Sequence, residues 1–123
     1  MEKKKNFDLL TFGQVLLRLS PPNNERLMRG DTFVKQVGGA ELNVAVGVAL
    51  LGLHTGIISR LPSHDIGAFM KGKIRSYGVS DDYFIYDNYP GERVGIYYYE
   101  NGAYPRKHKV IYDRSGSYFY SLK

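Results

Sequence analysis

The sequence predicts an α/β fold, an α/β layer with parallel strands followed by a β-rich flap, on three observations. Strand-like and helix-like segments alternate from Asp8 to Gly78. Parallel neighbours need a crossover connection, and a helix usually provides it. Two consecutive glycines, Gly38 and Gly39, open directly onto an apolar stretch with helical spacing. Beyond Gly78 the pattern changes to short strand-like runs separated by turn sequences.

Asp8 to Gly13 and Val15 to Ser20 are apolar-rich runs that read as strands, and Pro21-Pro22-Asn23-Asn24 closes the second with turn chemistry. Thr32 to Val37 carries enough β-branched and apolar residues for another strand. Leu42, Ala45, Val46, Ala49, Leu50 and Leu53 recur at intervals of three and four, which places them on one helix face. Gly52 lies near that helix's end, and Thr55 to Arg60 follows as a short strand of buried type. Asp65 is the expected cap of a second helix with Ile66, Phe69, Met70, Ile74 and Tyr77 on its apolar face, stopped by Gly78. Asp82 to Tyr86, Arg93 to Glu100 and Lys107 to Tyr112 read as strands of antiparallel hairpins, with turns at Asn88-Tyr89-Pro90-Gly91 and Glu100-Asn101-Gly102. Tyr97-Tyr98-Tyr99 puts rings on both faces of its strand, so core, ligand or a second subunit should cover at least one of them.

A length of 123 residues, 43% of them hydrophobic and 24% charged, suits one domain with a modest core. No cysteine is present, which excludes disulfides and thiolate zinc sites and fits a reducing, cytoplasmic setting. His54, His64 and His108 lack metal-ligand spacing. The amino terminus has no cleavage pattern of a signal peptide, and the longest apolar stretch, Leu42 to Leu53, falls short of a membrane span. Seventeen Lys and Arg against twelve Asp and Glu give a formal charge of +5. Three of the positive charges are Lys3, Lys4 and Lys5, so the body is weakly basic. With eleven tyrosines, the charge admits three readings: a groove for single-stranded nucleic acid, a solvated positive surface, or attraction of a small anionic substrate. The last two account for the charge without nucleic acid. Arg106-Lys107-His108-Lys109 reads as the solvated tip of the flap.

The segment Gly38-Gly39-Ala40-Glu41-Leu42-Asn43 carries the chemistry. Its glycines allow positive φ and close backbone approach, while Glu41 and Asn43 set polar groups beside a helix start, a combination suited to hydroxyl and carboxylate recognition. A dinucleotide fingerprint would need Gly-x-Gly-x-x-Gly after the first strand, and that spacing is missing.

Together with Thr11-Phe12-Gly13, Asp65-Ile66-Gly67, Val94-Gly95-Ile96-Tyr97 and Val110 to Ser117, this segment resembles the amino-terminal part of a ribokinase-like (PfkB) carbohydrate kinase. The 2-keto-3-deoxygluconate kinase branch is the nearest in pattern. The resemblance runs from about Asp8 onward but covers only the first third or so of the family pattern. It implies a partial ribokinase-like, Rossmann-type α/β layer with a β-sheet lid, to which Val15 to Ser20 and Thr32 to Val37 would also contribute. Family members use ATP and magnesium to phosphorylate a sugar or sugar-acid hydroxyl. Carried over residue by residue, Gly39, Ala40, Glu41, Leu42 and Asn43 border the sugar, Tyr97 packs on it, and Tyr112, Asp113 and Arg114 form a lid segment. There Arg114 would neutralise a sugar-acid carboxylate by charge-assisted hydrogen bonds, the alternative being a structural ion pair. Lid pairing implies a homodimer.

Three positions depart from the pattern. Glu41 replaces the small residue of the broad family, which favours the sugar-acid branch; Pro62 stands where glycine is common; and Gln14 stands where Glu is frequent. The Gly-Ala-Gly-Asp turn that carries the family's catalytic aspartate does not occur in the sequence. The expectation is a single truncated domain, residues 1–123, holding the substrate side and lid, with no full ATP or magnesium site and catalytically incomplete unless a separate carboxy-terminal half supplies the rest. The alternative is a noncatalytic dimerisation or sugar-acid-binding module.

Overall fold

The computed structural model describes residues 6–87, 93–102 and 105–114. The Lys3 to Lys5 run, the turn at Asn88 to Gly91 and the stretch from Ser115 onward lie outside the described residues. The strands are β1 (Leu9–Phe12), β2 (Leu16–Ser20), β3 (Val34–Gly38), β4 (Thr55–Pro62), β5 (Val79–Ser80), β6 (Phe84–Asp87), β7 (Ile96–Glu100) and β8 (Lys109–Asp113). The helices are α1 (Ala40–Leu50) and α2 (Asp65–Ser76), and a 3-10 turn at Pro22–Asn24 follows β2.

Two sheets share one core. In the first, β4 lies between β1 on one side and β5 and β6, end to end, on the other, all parallel. Flanked by β1 along Thr55 to Ile58 and by β5 and β6 on its other edge, β4 is buried along nearly its whole length, the pattern expected of a central parallel strand. In the second sheet the order is β3-β2-β7-β8, with β2 and β7 parallel and the outer pairs antiparallel. This is the expected lid, and Val15 to Ser20 and Thr32 to Val37 contribute to it. Leu17, Val37 and Ile96 from one lid face join Leu42, Ala45, Ile57, Met70 and Ile74 in the hydrophobic cluster. Hydrophobic packing therefore fixes the lid sheet on the α/β layer.

The structure corrects the helix faces in detail. Leu42 and Ala45 are fully buried and Val46 and Ala49 partly so, but Leu50 is 80% exposed and Leu53 47%. Leu50 is eight residues on from Leu42, which carries it about 80° round the axis. The helix also ends before Leu53, at a turn through Gly52 with φ of +88°. For α2 the cap is His64 rather than Asp65: the imidazole Nδ1 accepts the Ile66 N–H at 3.2 Å. Asp65 is the first helical residue, where its charge complements the helix dipole. Met70 and Ile74 are buried on the expected face, with Ile66, Phe69 and Tyr77 packed beside them.

A larger correction concerns Asp82 to Tyr86. This run belongs to no hairpin; it forms β6 and extends the parallel sheet, with Ser59 opposite Phe84 and Leu61 opposite Tyr86. The physical reason is the α2 crossover, which returns the chain parallel to β4, and a polar knot at its exit. Asp81 Oδ1 accepts from Arg75 Nε at 2.9 Å, and Asp81 Oδ2 accepts from the Tyr86 hydroxyl at 2.6 Å. Burial alone would push the Asp81 carboxyl up, but those two hydrogen bonds and the Arg75 and Lys71 charges hold it below its ordinary value. Burial and the bond to Asp81 push the Tyr86 phenol far up.

These shifts set a pH window. The lowered Asp81 value contributes stability that is present above about pH 4 and lost as pH falls through the lowered value. The raised Tyr86 value contributes stability that is complete below about pH 10 and declines above it. Thermal unfolding followed from pH 2 to 11 should show a plateau with both limbs, and Tyr86→Phe should remove the alkaline one. An alkaline limb unchanged in that variant would overturn the assignment.

Candidate functional site

A cleft of about 880 Å³ lies between the outer face of the lid and the start of α1. Its geometry follows from strand alternation. Across the lid sheet Arg18 is opposite Tyr97, and Tyr97 opposite Tyr112, so the three side chains share one face. Leu17, Ile96 and Asp113 form the neighbouring row on the opposite face. The core claims the second face, which leaves the tyrosine face for the cleft.

The floor on the α/β side comes from Gly13 and Gln14 after β1 and from Gly39, Ala40, Glu41 and Asn43 at the start of α1. Gly39 is the residue before the first helical turn, with φ of +128° and ψ of 143°, and its carbonyl accepts the Asn43 N–H at 2.9 Å. A β-carbon there would meet the Gln14 carbonyl oxygen at 2.6 Å, so the approach of the two loops depends on glycine. Gly38 serves the lid in the same way: the Tyr97 hydroxyl occupies the space that a side chain would fill. The Thr11 hydroxyl donates to the Glu41 carbonyl at 3.3 Å, tying α1 to β1.

The lid side is aromatic and cationic. Tyr97 and Tyr112 lie with ring centroids 5.9 Å apart and inclined at 35°. The Arg114 guanidinium is 5.2 Å from the Tyr112 ring centre, and that of Arg18 is 5.5 Å from the Tyr99 ring centre. The Tyr99 hydroxyl and the Gly102 N–H both lie 3.0 Å from His108 Nδ1, which holds His108 at the rim.

The structure thus brings Gly39, Ala40, Glu41, Asn43, Tyr97, Tyr112 and Arg114 around one cleft. It does not bring Leu42 or Asp113 there. Leu42 is 0% exposed beneath the helix, and Asp113 points from the opposite lid face, where it pairs with Arg93 at 3.1 Å. Sequence reasoning missed Arg18, Tyr99 and His108 as cleft residues. Tyr99 was available from period two, being two residues beyond Tyr97; Arg18 was not, because a parallel pairing between β2 and β7 leaves no local signal.

In the basic run at the flap tip Lys107, His108 and Lys109 are exposed as expected, and the correction concerns Arg106 alone. Arg106 is partly buried, donates to the Asn24 carbonyl at 2.7 Å and the Asn101 carbonyl at 3.0 Å, and stands 3.8 Å from Glu100 Oε2. Glu100 is itself 3% exposed and accepts the Leu27 N–H at 2.8 Å. That amide, opposed by burial and helped by the Lys109, Arg106 and Arg26 charges, holds its carboxyl below the ordinary range.

Among the described residues no group of three or more His, Asp or Glu comes together as a metal site, and no helix is long and apolar enough to cross a membrane. A partial α/β layer with a β-sheet lid over a polar, tyrosine-lined cleft is the architecture of ribokinase-like carbohydrate kinases. Residues 6–121 match the pfkB family carbohydrate kinase pattern, and the chain belongs to that family. It is 39% identical over 108 residues to the 2-dehydro-3-deoxygalactonokinase of Haloferax volcanii, covering 88% of this chain and 33% of that protein. It superposes on the crystal structure of 2-dehydro-3-deoxygluconokinase from Thermotoga maritima with a TM-score of 0.87 and 41% identity, covering 94% of this chain and 34% of that one. A sugar kinase from Pyrococcus horikoshii, solved in complex with ATP, shares the fold at a TM-score of 0.75 and 23% identity, over 89% of this chain and 35% of that one. The chain therefore spans about a third of the length of the relatives it matches.

Proposed function

We propose that this chain is the acceptor side and lid of a sugar-acid kinase and binds a 2-keto-3-deoxy hexonate or a close relative. The observation that carries this reading is the convergence of the Gly39-Ala40 backbone, Asn43, Tyr97, Tyr112 and Arg114 on one cleft. Tyrosine rings cover the apolar face of a sugar, and Asn43 and Glu41 supply hydrogen-bonding groups for its hydroxyls. Arg114 offers a planar pair of donors to a carboxylate. In PfkB kinases ATP supplies the phosphoryl group; no residue of this chain is assigned to holding it or magnesium. Leu10, Phe12 and Ile85 are exposed on the sheet face opposite α1, and parallel sheets are normally covered on both faces. This supports completion of the layer, and of the catalytic site, by further polypeptide.

Calorimetry with 2-keto-3-deoxygluconate tests the site. Binding is expected, and Arg114→Ala should weaken it by about 1.5–3 kcal/mol, the worth of a charged hydrogen bond, or roughly ten- to hundredfold. Absence of binding to the unmodified chain would sink the reading in favour of a noncatalytic module. Phosphotransfer by the chain alone, given ATP and magnesium, would contradict its catalytic incompleteness.

A second copy is the proposed partner of the lid. The observation in favour is the exposed Val34 on one edge strand of the lid and Ile111 on the other, with Phe33 beside the first. Sedimentation equilibrium should then give a dimer, and a strict monomer at all concentrations would exclude it.

A further inference from the structure

The cleft contains a cation to which neither the resemblance nor the reading above gives a role. Arg18 projects from β2 in the same cross-strand row as Tyr97 and Tyr112. Its guanidinium carbon lies 5.5 Å from the centre of the Tyr99 ring, within cation–π range. Nε of Arg18 is shut off from water and makes no hydrogen bond among the described residues. A buried donor on a cation without an acceptor is unfavourable, so a shift of this side chain further into the cleft that it lines would be favoured once an acceptor is bound there.

Charge balance points the same way. Arg18 and Arg114 line the cleft against one carboxylate, Glu41. The strand spacing and the rise along a strand put the Cα atoms of the two arginines about 12 Å apart, on either side of Tyr97. A six-carbon acid lying on the tyrosines would be within reach of both long side chains.

We infer that Arg18 is a specificity-determining residue whose guanidinium joins Arg114 on the carboxylate of an acidic sugar and so separates sugar acids from neutral sugars. This rests on the proposal that the cleft binds a sugar acid. Its cation–π contact with Tyr99 holds the guanidinium beside the cleft. Lysine could keep the charge at this position but not the planar edge.

The test is calorimetry on the 123-residue chain with 2-keto-3-deoxygluconate and, as the neutral probe, fructose, for the unmodified protein, Arg18→Gln and Arg18→Lys, each checked for folding by thermal unfolding. Arg18→Gln should lose tenfold or more in affinity for the acid while any fructose binding stays within twofold, and Arg18→Lys should recover only part of the loss. Equal weakening of both probes would make Arg18 a structural residue, and unchanged acid binding would remove it from recognition; either result overturns the inference while the sugar-acid site stands. Failure of the unmodified chain to bind the acid would overturn the sugar-acid reading first and this inference with it.

Discussion

Replacing Gly39 with alanine is expected to destabilise the chain by about 3 kcal/mol, because the residue occupies a backbone region that side-chain-bearing residues reach only under strain. The added β-carbon also runs into the Gln14 backbone carbonyl, which is not the end of a flexible side chain and cannot step aside cheaply. For a domain of this size the loss corresponds to a fall of roughly 10 °C in the unfolding midpoint. Relief of the clash must move either the start of α1 or the loop after β1, and both line the cleft. Sugar-acid binding should therefore fall together with stability. Thermal unfolding and calorimetry on Gly39→Ala check both, and an unchanged midpoint would show that the positive φ is not required.

Leu42→Ala should cost about 2–5 kcal/mol, the range for truncating a fully buried leucine. Leu42 stands between the cleft residues Glu41 and Asn43 but is packed in the core cluster with Ala45, Ile57 and Met70. The two variants differ in what they disturb. Gly39→Ala changes the shape of a wall, whereas Leu42→Ala empties a position behind it, so affinity measured well below the lowered midpoint should stay within a few-fold of the unmodified chain. A large loss of binding with unfolding unaffected would return Leu42 to the ligand-contacting role that the resemblance implies.

Much of this architecture was legible in the sequence because it depends on local pattern. The first three strands, both helices and the β7–β8 pairing follow from periodicity and turn chemistry over a dozen residues or fewer. What was not legible depends on distant partners. Asp82 to Tyr86 has the composition of a hairpin strand, and only its alignment with Ser59 to Pro62 makes it part of the parallel sheet. His64 caps α2 because its ring reaches the Ile66 amide, a matter of rotamer rather than residue class. At the site, Leu42 and Asp113 adjoin cleft residues in sequence, and sequence adjacency alone does not separate them from the cleft. Helix and strand geometry turn neighbours to different sides, so Leu42 went to the core and Asp113 to Arg93. Arg18 shows the converse, a cleft residue far in sequence from Tyr97.

The parallel pairing of β2 with β7 also bears on the order of assembly. Arg18 and Tyr97 face each other across about 80 residues of intervening chain, a closure that costs more entropy than the shorter-range pairing of β2 with β3. Neither edge of that junction is enough to form the cleft, since one carries Arg18 and the other carries Tyr97 and, through β8, Tyr112 and Arg114. The cleft therefore exists only when this long-range pairing has formed. A ligand that takes the cleft would bind only the folded chain and so stabilise it against unfolding.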